Sequence, residues 1–369
     1  MINPEQLLAE LSNASGAVGF EHPVRKLLES YWKKFPINYE TDLMGNLLGR
    51  FKNHSAENPT VLIMAHMDEI GFLTTEITEN GYINVIPLGA WLNHVLWSQK
   101  WVIYHNEMII PAVSGIDTPH MLSDDDRRDN LQLDHTQLFL DTGLTKEELE
   151  KLGMRPGLPV VPDVSFSIQK NKNRYVGKAF DDRAGLAVMT RLMEKITQNP
   201  SLLDNVNVAF AATVQEEVGL RGAKVIYESI KPDVVINLEF GAARDYPCQF
   251  STDDKPVLGE GPTLFIYDRG MLPNTNLLEF IYQTAKENKI PTQWEHEIHY
   301  GQDGACLQAA GKGIPAINIG IPIRYAHSHY GIMDKNDYDN TVTLLYRSIS
   351  RINKNFFKRL QNNILISKK

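Results

Sequence analysis

The chain has 369 residues, 43% of them hydrophobic, enough to bury a sizeable core and ordinarily to form about two domains. A net charge of −8 argues against nucleic acid as a main partner, because phosphate binding wants a basic surface. No apolar run approaches the roughly 18–20 residues of a membrane helix, so no membrane partner is expected.

The first six residues lack a basic segment followed by an apolar one, so no secretory signal is expected and the chain reads as cytoplasmic. Cys248 and Cys306 then read as free thiols in a reducing compartment. The first chemically informative stretch follows the apolar strand 61–65 and runs His66-Met67-Asp68-Glu69-Ile70-Gly71. His66 and Asp68 lie two apart and share a face on an extended backbone. A metal-bound His usually gives its other ring N–H to a carboxylate or carbonyl. Asp68 is thus placed to orient His66 or to support a metal site, although a buried His satisfied by a nearby Asp is the commoner outcome.

From 71 onward the pattern becomes β-rich. Segments 71–77 and 81–86 read as hairpin strands joined by Asn80-Gly81, and 100–104 as a further short strand. Residues 146–152 carry a helical pattern, and 124–129 a charge run that reads as a solvated loop. Helices and strands alternate again after about 165, which predicts an α/β fold with a mixed sheet covered by helices on both faces. Asp181 and Asp182 precede a helical pattern at 186–193. They read as N-capping residues, and the alternative is a carboxylate bridging two metal ions through its two oxygens.

The strongest signal is Gln215-Glu216-Glu217-Val218-Gly219 at the end of the apolar run 206–214. Carboxylates adjacent on a strand end project in different directions, so one can hold a metal while the other reaches a metal-bound water. Taken alone, the pair reads as an exposed acidic turn. Two further strand patterns, 234–238 and 316–322, lead into Glu239 and into Arg324-Tyr325-Ala326-His327-Ser328-His329. Between them, Glu295-His296-Glu297-Ile298-His299 reads as a polar stretch facing solvent, and the chain ends in an amphipathic helix and a frayed tail from 354.

His66, Asp181, Glu216, Glu217, Glu239 and His327 each stand at or beside the end of an apolar segment, where sites gather in open α/β sheets. Mixed His and carboxylate ligands without cysteine suit Zn²⁺, Co²⁺ or Mn²⁺, and a pair of metals needs about this many ligands. No Gly-x-Ser-x-Gly or His-Glu-x-x-His is present, which disfavours a serine hydrolase elbow and a single-zinc protease.

These residues carry a family resemblance. AHMDEIGF at 65–72, GKAFDDRAG at 177–185, QEEVGLRGA at 215–223 and RYAHS at 324–328 resemble the M42 family of metallo-aminopeptidases. The stretches at 8–31, 138–163 and 259–270 are similar to it as well, so the likeness covers nearly the whole chain in order. It implies an α/β/α metallopeptidase catalytic domain from 1–70 and 165–369, with a small β-barrel-like dimerisation domain inserted at 71–164. It further implies two divalent metal ions, Zn²⁺ or else Co²⁺ or Mn²⁺. His66 and Glu239 would bind one, Glu217 and His327 the other, and Asp181 would bridge them. Glu216 would be the general base, Asp68 the partner of the His66 ring, and Asp182 the neighbour that sets the Asp181 backbone.

The implied activity removes one residue from the N-terminus of short peptides, inside a homo-oligomer of six dimers forming a hollow dodecamer. A metal-dependent deacylase, a chelator-resistant glycan-cleaving enzyme and an inactive scaffold are the alternative readings. The chain departs from the family pattern at Glu239, where Asp is usual, and at Gly301-Gln302-Asp303-Gly304-Ala305, where the family has a Thr-Asp-Ala-like segment.

Overall fold

The computed structural model describes residues 1–105, 108–124, 134–170, 173–247 and 255–361. Positions 125–129 of the charge run, Cys248 and the tail beyond 361 lie outside them.

Four strands set the architecture. Asn207–Thr213, Thr60–His66, Val234–Ala242 and Ala316–Arg324 are neighbours in that order within an eleven-stranded sheet, and all run parallel. Every residue of the first two is buried. A parallel sheet covered on both faces demands continuous apolar runs, and these sequences supply them. The period of two sorts their side chains onto opposite faces. Val61, Ile63 and Ala65 pack with residues of the helices Pro4–Asn13, His22–Trp32, Phe180–Gln198 and Lys335–Ile349. Leu62 and Met64 pack instead with Ala223, Ile226 and Leu307 from the helices Ala223–Ile230 and Gly304–Gln308. The sheet is mixed, because Leu47–Phe51 pairs antiparallel on one side and Gly331–Asp334 on the other. This is the expected α/β/α arrangement.

Between the strand that ends at His66 and the helix that begins at Phe180, the chain forms a closed six-stranded barrel. Its order is Gly71–Ile77, Ile83–Leu88, Phe139–Asp141, Met108–Ser114, Lys100–His105 and Pro159–Pro162. Closure leaves no free sheet edge. Phe72, Trp101, Ile103, Leu140 and Val160 fill its own core. The hairpin turn uses Gly81 at φ +83°, and pairing resumes at Ile83, two residues later than the sequence pattern suggests. The helix Lys146–Lys151 is fixed by a capping box between Thr145 and Glu148.

The N-terminal helix is stapled to the site region by a buried charge network. Arg183, fully buried, donates to the main-chain oxygens of Met67, Leu11 and Ala14 at 2.8, 2.7 and 2.9 Å. Glu69 receives Lys178 at 2.6 Å and Arg183 at 3.3 Å. Buried charges persist where each is paired and hydrogen-bonded, as here. The network ties together the N-terminal helix, the start of the helix Phe180–Gln198 and the segment just after His66.

Candidate active site

Because the four central strands run parallel, their C-terminal ends lie along one edge, and register places Thr213 beside His66 and Glu239 beside Gly320. His66 points its Nε2 at Asp181 Oδ1, 2.9 Å away, with Glu239 Oε1 at 3.6 Å. Its Nδ1 donates to the main-chain oxygen of Asp68 at 3.1 Å. His327 repeats the pattern. Its Nδ1 donates to the carbonyl of Ala90 in the barrel at 2.8 Å, and its Nε2 faces Asp181 Oδ2 at 3.3 Å and Glu217 Oε2 at 3.7 Å. Both rings are thus held through Nδ1, with Nε2 presented to carboxylates, the arrangement in which an imidazole serves a metal.

Two donor groups result, His66 with Asp181 and Glu239, and Asp181 with Glu217 and His327, each with ligand atoms within 4.8 Å of one another. Asp181 belongs to both, one oxygen turned to each histidine.

The electrostatics of this cluster call for cations. Burial pushes the carboxyls of Glu217 and Glu239 up, to about 7 and about 8, and Glu216 well above its ordinary range. Burial works against the charged imidazoles too. Asp181 and Glu239 nevertheless hold His66 well above its usual value, and Glu217 and Asp181 push His327 up to about 10. Burial would raise Asp181, yet the hydrogen bonds from His327 and His66 keep it well below the usual carboxylate range. Several carboxylates packed this tightly must hold protons or cations. Glu239 Oε2 is also buried with no hydrogen-bond partner among the described residues, a costly state that a metal ion would relieve. The donor set therefore fits divalent cations of the zinc and cobalt type.

The two aspartates at 181 and 182 divide the two functions foreseen for them. Residues 181 and 182 have non-helical backbone at the head of Phe180–Gln198, and their peptide bond is cis. Asp182 Oδ1 accepts the Gly185 N–H at 3.0 Å and so caps the helix that follows, while Asp181 turns into the site.

Asp68 differs from expectation in detail. Its carbonyl, not its carboxylate, makes the 3.1 Å contact with the His66 ring, and the nearer carboxylate oxygen stands at 3.7 Å. The carboxylate is taken up by the turn that carries the glutamates, accepting the N–H of Glu216 and of Glu217 at 3.0 Å each. Two main-chain donors with no other partner in their turn outbid a ring nitrogen that a carbonyl already satisfies.

Glu239, one methylene longer than the family's Asp, fits by folding back so that Oε1 also accepts the N–H of Phe240 at 3.2 Å. The Glu295–His299 cluster is less exposed than expected. Glu295 and Glu297 are buried, and Glu295 accepts the Ala242 N–H at 2.7 Å just beyond Glu239. Asp303, also buried, accepts the Thr213 hydroxyl at 2.6 Å behind the Glu216 turn. Sequence reading missed both supports and the Ala90 carbonyl, since each depends on segments far apart in the chain. His329 lies outside the donor groups, buried against Trp101 at 4.3 Å between ring centroids.

The site opens into a cleft of about 1030 Å³ with Asp181, Glu216, Glu217 and Glu239 among its lining residues. Trp91, Phe240, Tyr300 and Tyr325 supply apolar walls, and Arg244 and Arg269 supply positive charge.

Comparison with known proteins agrees with this architecture. The profile of the M42 glutamyl aminopeptidase family matches residues 45–344. The FrvX protein of Escherichia coli (strain K12) is 33% identical over 92% of this chain and 93% of its own. The structure superposes on the TET aminopeptidase of a marine-sediment Thaumarchaeota archaeon with a TM-score of 0.90 and 32% identity, covering 97% and 98% of the two chains. It superposes on the Pyrococcus horikoshii TET1 peptidase with a TM-score of 0.83 and 25% identity, covering 95% and 100%. The chain belongs to the M42 family of metal-dependent aminopeptidases and is a hydrolase.

Proposed function

We propose that the chain cleaves the N-terminal peptide bond of short peptides with two divalent metal ions and Glu216 as general base. The observation that carries this reading is the pair of donor groups sharing Asp181, set on the floor of a cleft large enough for a peptide end. His66 and Glu239 would hold one ion, Glu217 and His327 the other, and Asp181 both. Such ions, when bound, lower the pKa of a water and polarise the scissile carbonyl.

The chain's own groups do the rest. Glu216 lines the cleft with its backbone fixed by Asp68, and burial has raised its carboxyl well above the ordinary range. A carboxylate so poised takes a proton from the attacking water and returns it to the leaving amine. A free chain-end amine carries a lone pair that such a metal ion would hold and an internal amide nitrogen does not, which would select a chain end over an internal peptide bond. The residues 1–70 and 165–369 form the catalytic unit in this reading, and 71–164 the dimerisation unit. Zn²⁺ or Co²⁺ is the expected ion, and the cytoplasm the expected compartment.

The Pyrococcus horikoshii TET1 peptidase assembles into a tetrahedron or a large octahedral shell. We read this chain as forming a comparable shell of dimers, which would admit unfolded peptides and exclude folded proteins. Light scattering is expected to return a mass many times that of one chain; a monomer mass at working concentration contradicts it.

Glu216→Gln is expected to bind metal as the wild type does and to lose about 10²–10⁴-fold in kcat, the usual cost of removing a general base. Chelation should abolish wild-type turnover, and Zn²⁺ or Co²⁺ should restore it. Near-normal activity of the variant, or activity that survives chelation, sinks the assignment.

Cleft charge also bears on substrate choice. Beyond the four site carboxylates, its acid–base lining consists of Arg244, Arg269, His299 and His327, with no further acid among the described residues. An N-terminal Lys side chain would meet like charge there. Lysyl anilide should therefore be cleaved with a lower kcat/KM than glutamyl or leucyl anilide, and the reverse order would contradict this account of the cleft.

A further inference from the structure

The turn that carries Glu216 and Glu217 is held by side chains from three distant segments. Four consecutive main-chain N–H groups are involved. Val214 donates to Asn46 Oδ1 at 3.0 Å, Gln215 to Glu21 Oε1 at 3.2 Å, and Glu216 and Glu217 to the two oxygens of Asp68 at 3.0 Å each. The turn needs such support. Gln215 sits at φ +56°, in the left-handed region that a residue with a Cβ enters only at a cost. The turn closes on itself through Arg221 N–H to the Gln215 carbonyl at 3.1 Å and Leu220 N–H to the Glu216 carbonyl at 2.8 Å.

Glu21 is the unexpected member. It stands at the N-cap of His22–Trp32 but its side chain makes no bond to that helix's own N–H groups. The same Oε1 accepts Gly19 N–H at 2.7 Å and Gln215 N–H instead. Glu21 is 5% exposed. Burial, with the Asp68 charge nearby, pushes its carboxyl up to about 7. A carboxylate buried beside another acid, with its bonds directed to Gly19 and Gln215, is serving the turn.

We propose that Glu21 is a positioning residue for the reaction. By holding the Gln215 N–H it fixes the left-handed step from which Glu216 and Glu217 project into the cleft. The inference rests on the roles given above to those two glutamates and extends them to a residue of the N-terminal segment that touches neither substrate nor metal.

Reach, not charge, is the requirement, and a pair of substitutions separates them. Glu21→Gln keeps an acceptor oxygen at the same distance, whereas Glu21→Asp keeps the charge and withdraws the oxygen by one methylene. Misplacing a reacting group by about 1 Å can cost up to about 100-fold in rate. Glu21→Asp is therefore expected to lose about tenfold or more in kcat with little change in KM, while Glu21→Gln stays close to the wild type.

The Co²⁺-loaded Glu21→Asp protein should show an altered visible absorption spectrum, because Glu217 moves with the turn, at an unchanged unfolding midpoint. Wild-type kcat and spectrum in Glu21→Asp overturn the proposal. So does Glu21→Gln failing as badly as Glu21→Asp, or activity falling only in step with the midpoint. Failure of the wild type on every peptide would strike the aminopeptidase reading instead, and the Co²⁺ spectra would still decide the role of Glu21.

Discussion

The site depends on one carboxylate placed between two imidazoles. Asp181 directs Oδ1 to His66 at 2.9 Å and Oδ2 to His327 at 3.3 Å. His66 ends a central strand, Asp181 opens a helix and His327 follows another strand, so this contact joins three elements that the chain lays down more than a hundred residues apart. A carboxylate has two oxygens with free lone pairs and so can serve two cations at once. Everything around it keeps those oxygens in place. Asp182 caps the helix so that Asp181 need not, and carbonyls of Asp68 and Ala90 fix the rings through Nδ1.

The inserted barrel segment enters this arrangement through a main-chain oxygen. Ala90 lies beyond the strand Ile83–Leu88, and its carbonyl orients His327. Trp91, next in sequence, lines the cleft and stacks on Phe72 of the barrel core at 5.5 Å. The barrel therefore shapes one wall of the catalytic cleft, whatever its part in assembly. The carboxyls of Glu217 and Glu239 are raised by burial and by the charge of Asp181 beside each, and that cost is tolerable where cations fill the space between them.

Much of this was legible in the sequence, for a physical reason. Parallel strands buried on both faces must be uniform apolar runs, so 61–65, 206–214, 234–238 and 316–322 announce themselves, and a polar residue at the end of such a run has few other uses. His66, Glu216, Glu217, Glu239 and His327 stood out in that way, and the structure gathers them around Asp181. What stayed hidden depends on which atom of a residue is used and on contacts between remote segments. Asp68 could be placed near His66 by spacing, but spacing does not reveal that its carbonyl serves the ring and its carboxylate serves the Glu216 turn. Glu295 read as surface because its neighbours are polar. It is buried because the strand Gln293–His296 pairs with Thr263–Tyr267 and directs the Glu295 carboxylate to the Ala242 N–H. Glu21 gave no signal, since its partner Gln215 lies 194 residues away in the chain.

The central claim is that Asp181 serves two ions at once, and metal stoichiometry tests it most directly. Elemental analysis of protein equilibrated with Zn²⁺ and freed of excess should give two equivalents per chain for the wild type. In folded Asp181→Ala the account predicts that tight binding falls below one equivalent, because both donor groups lose their shared member. Two tightly held equivalents in that variant, or one in the wild type, would contradict it.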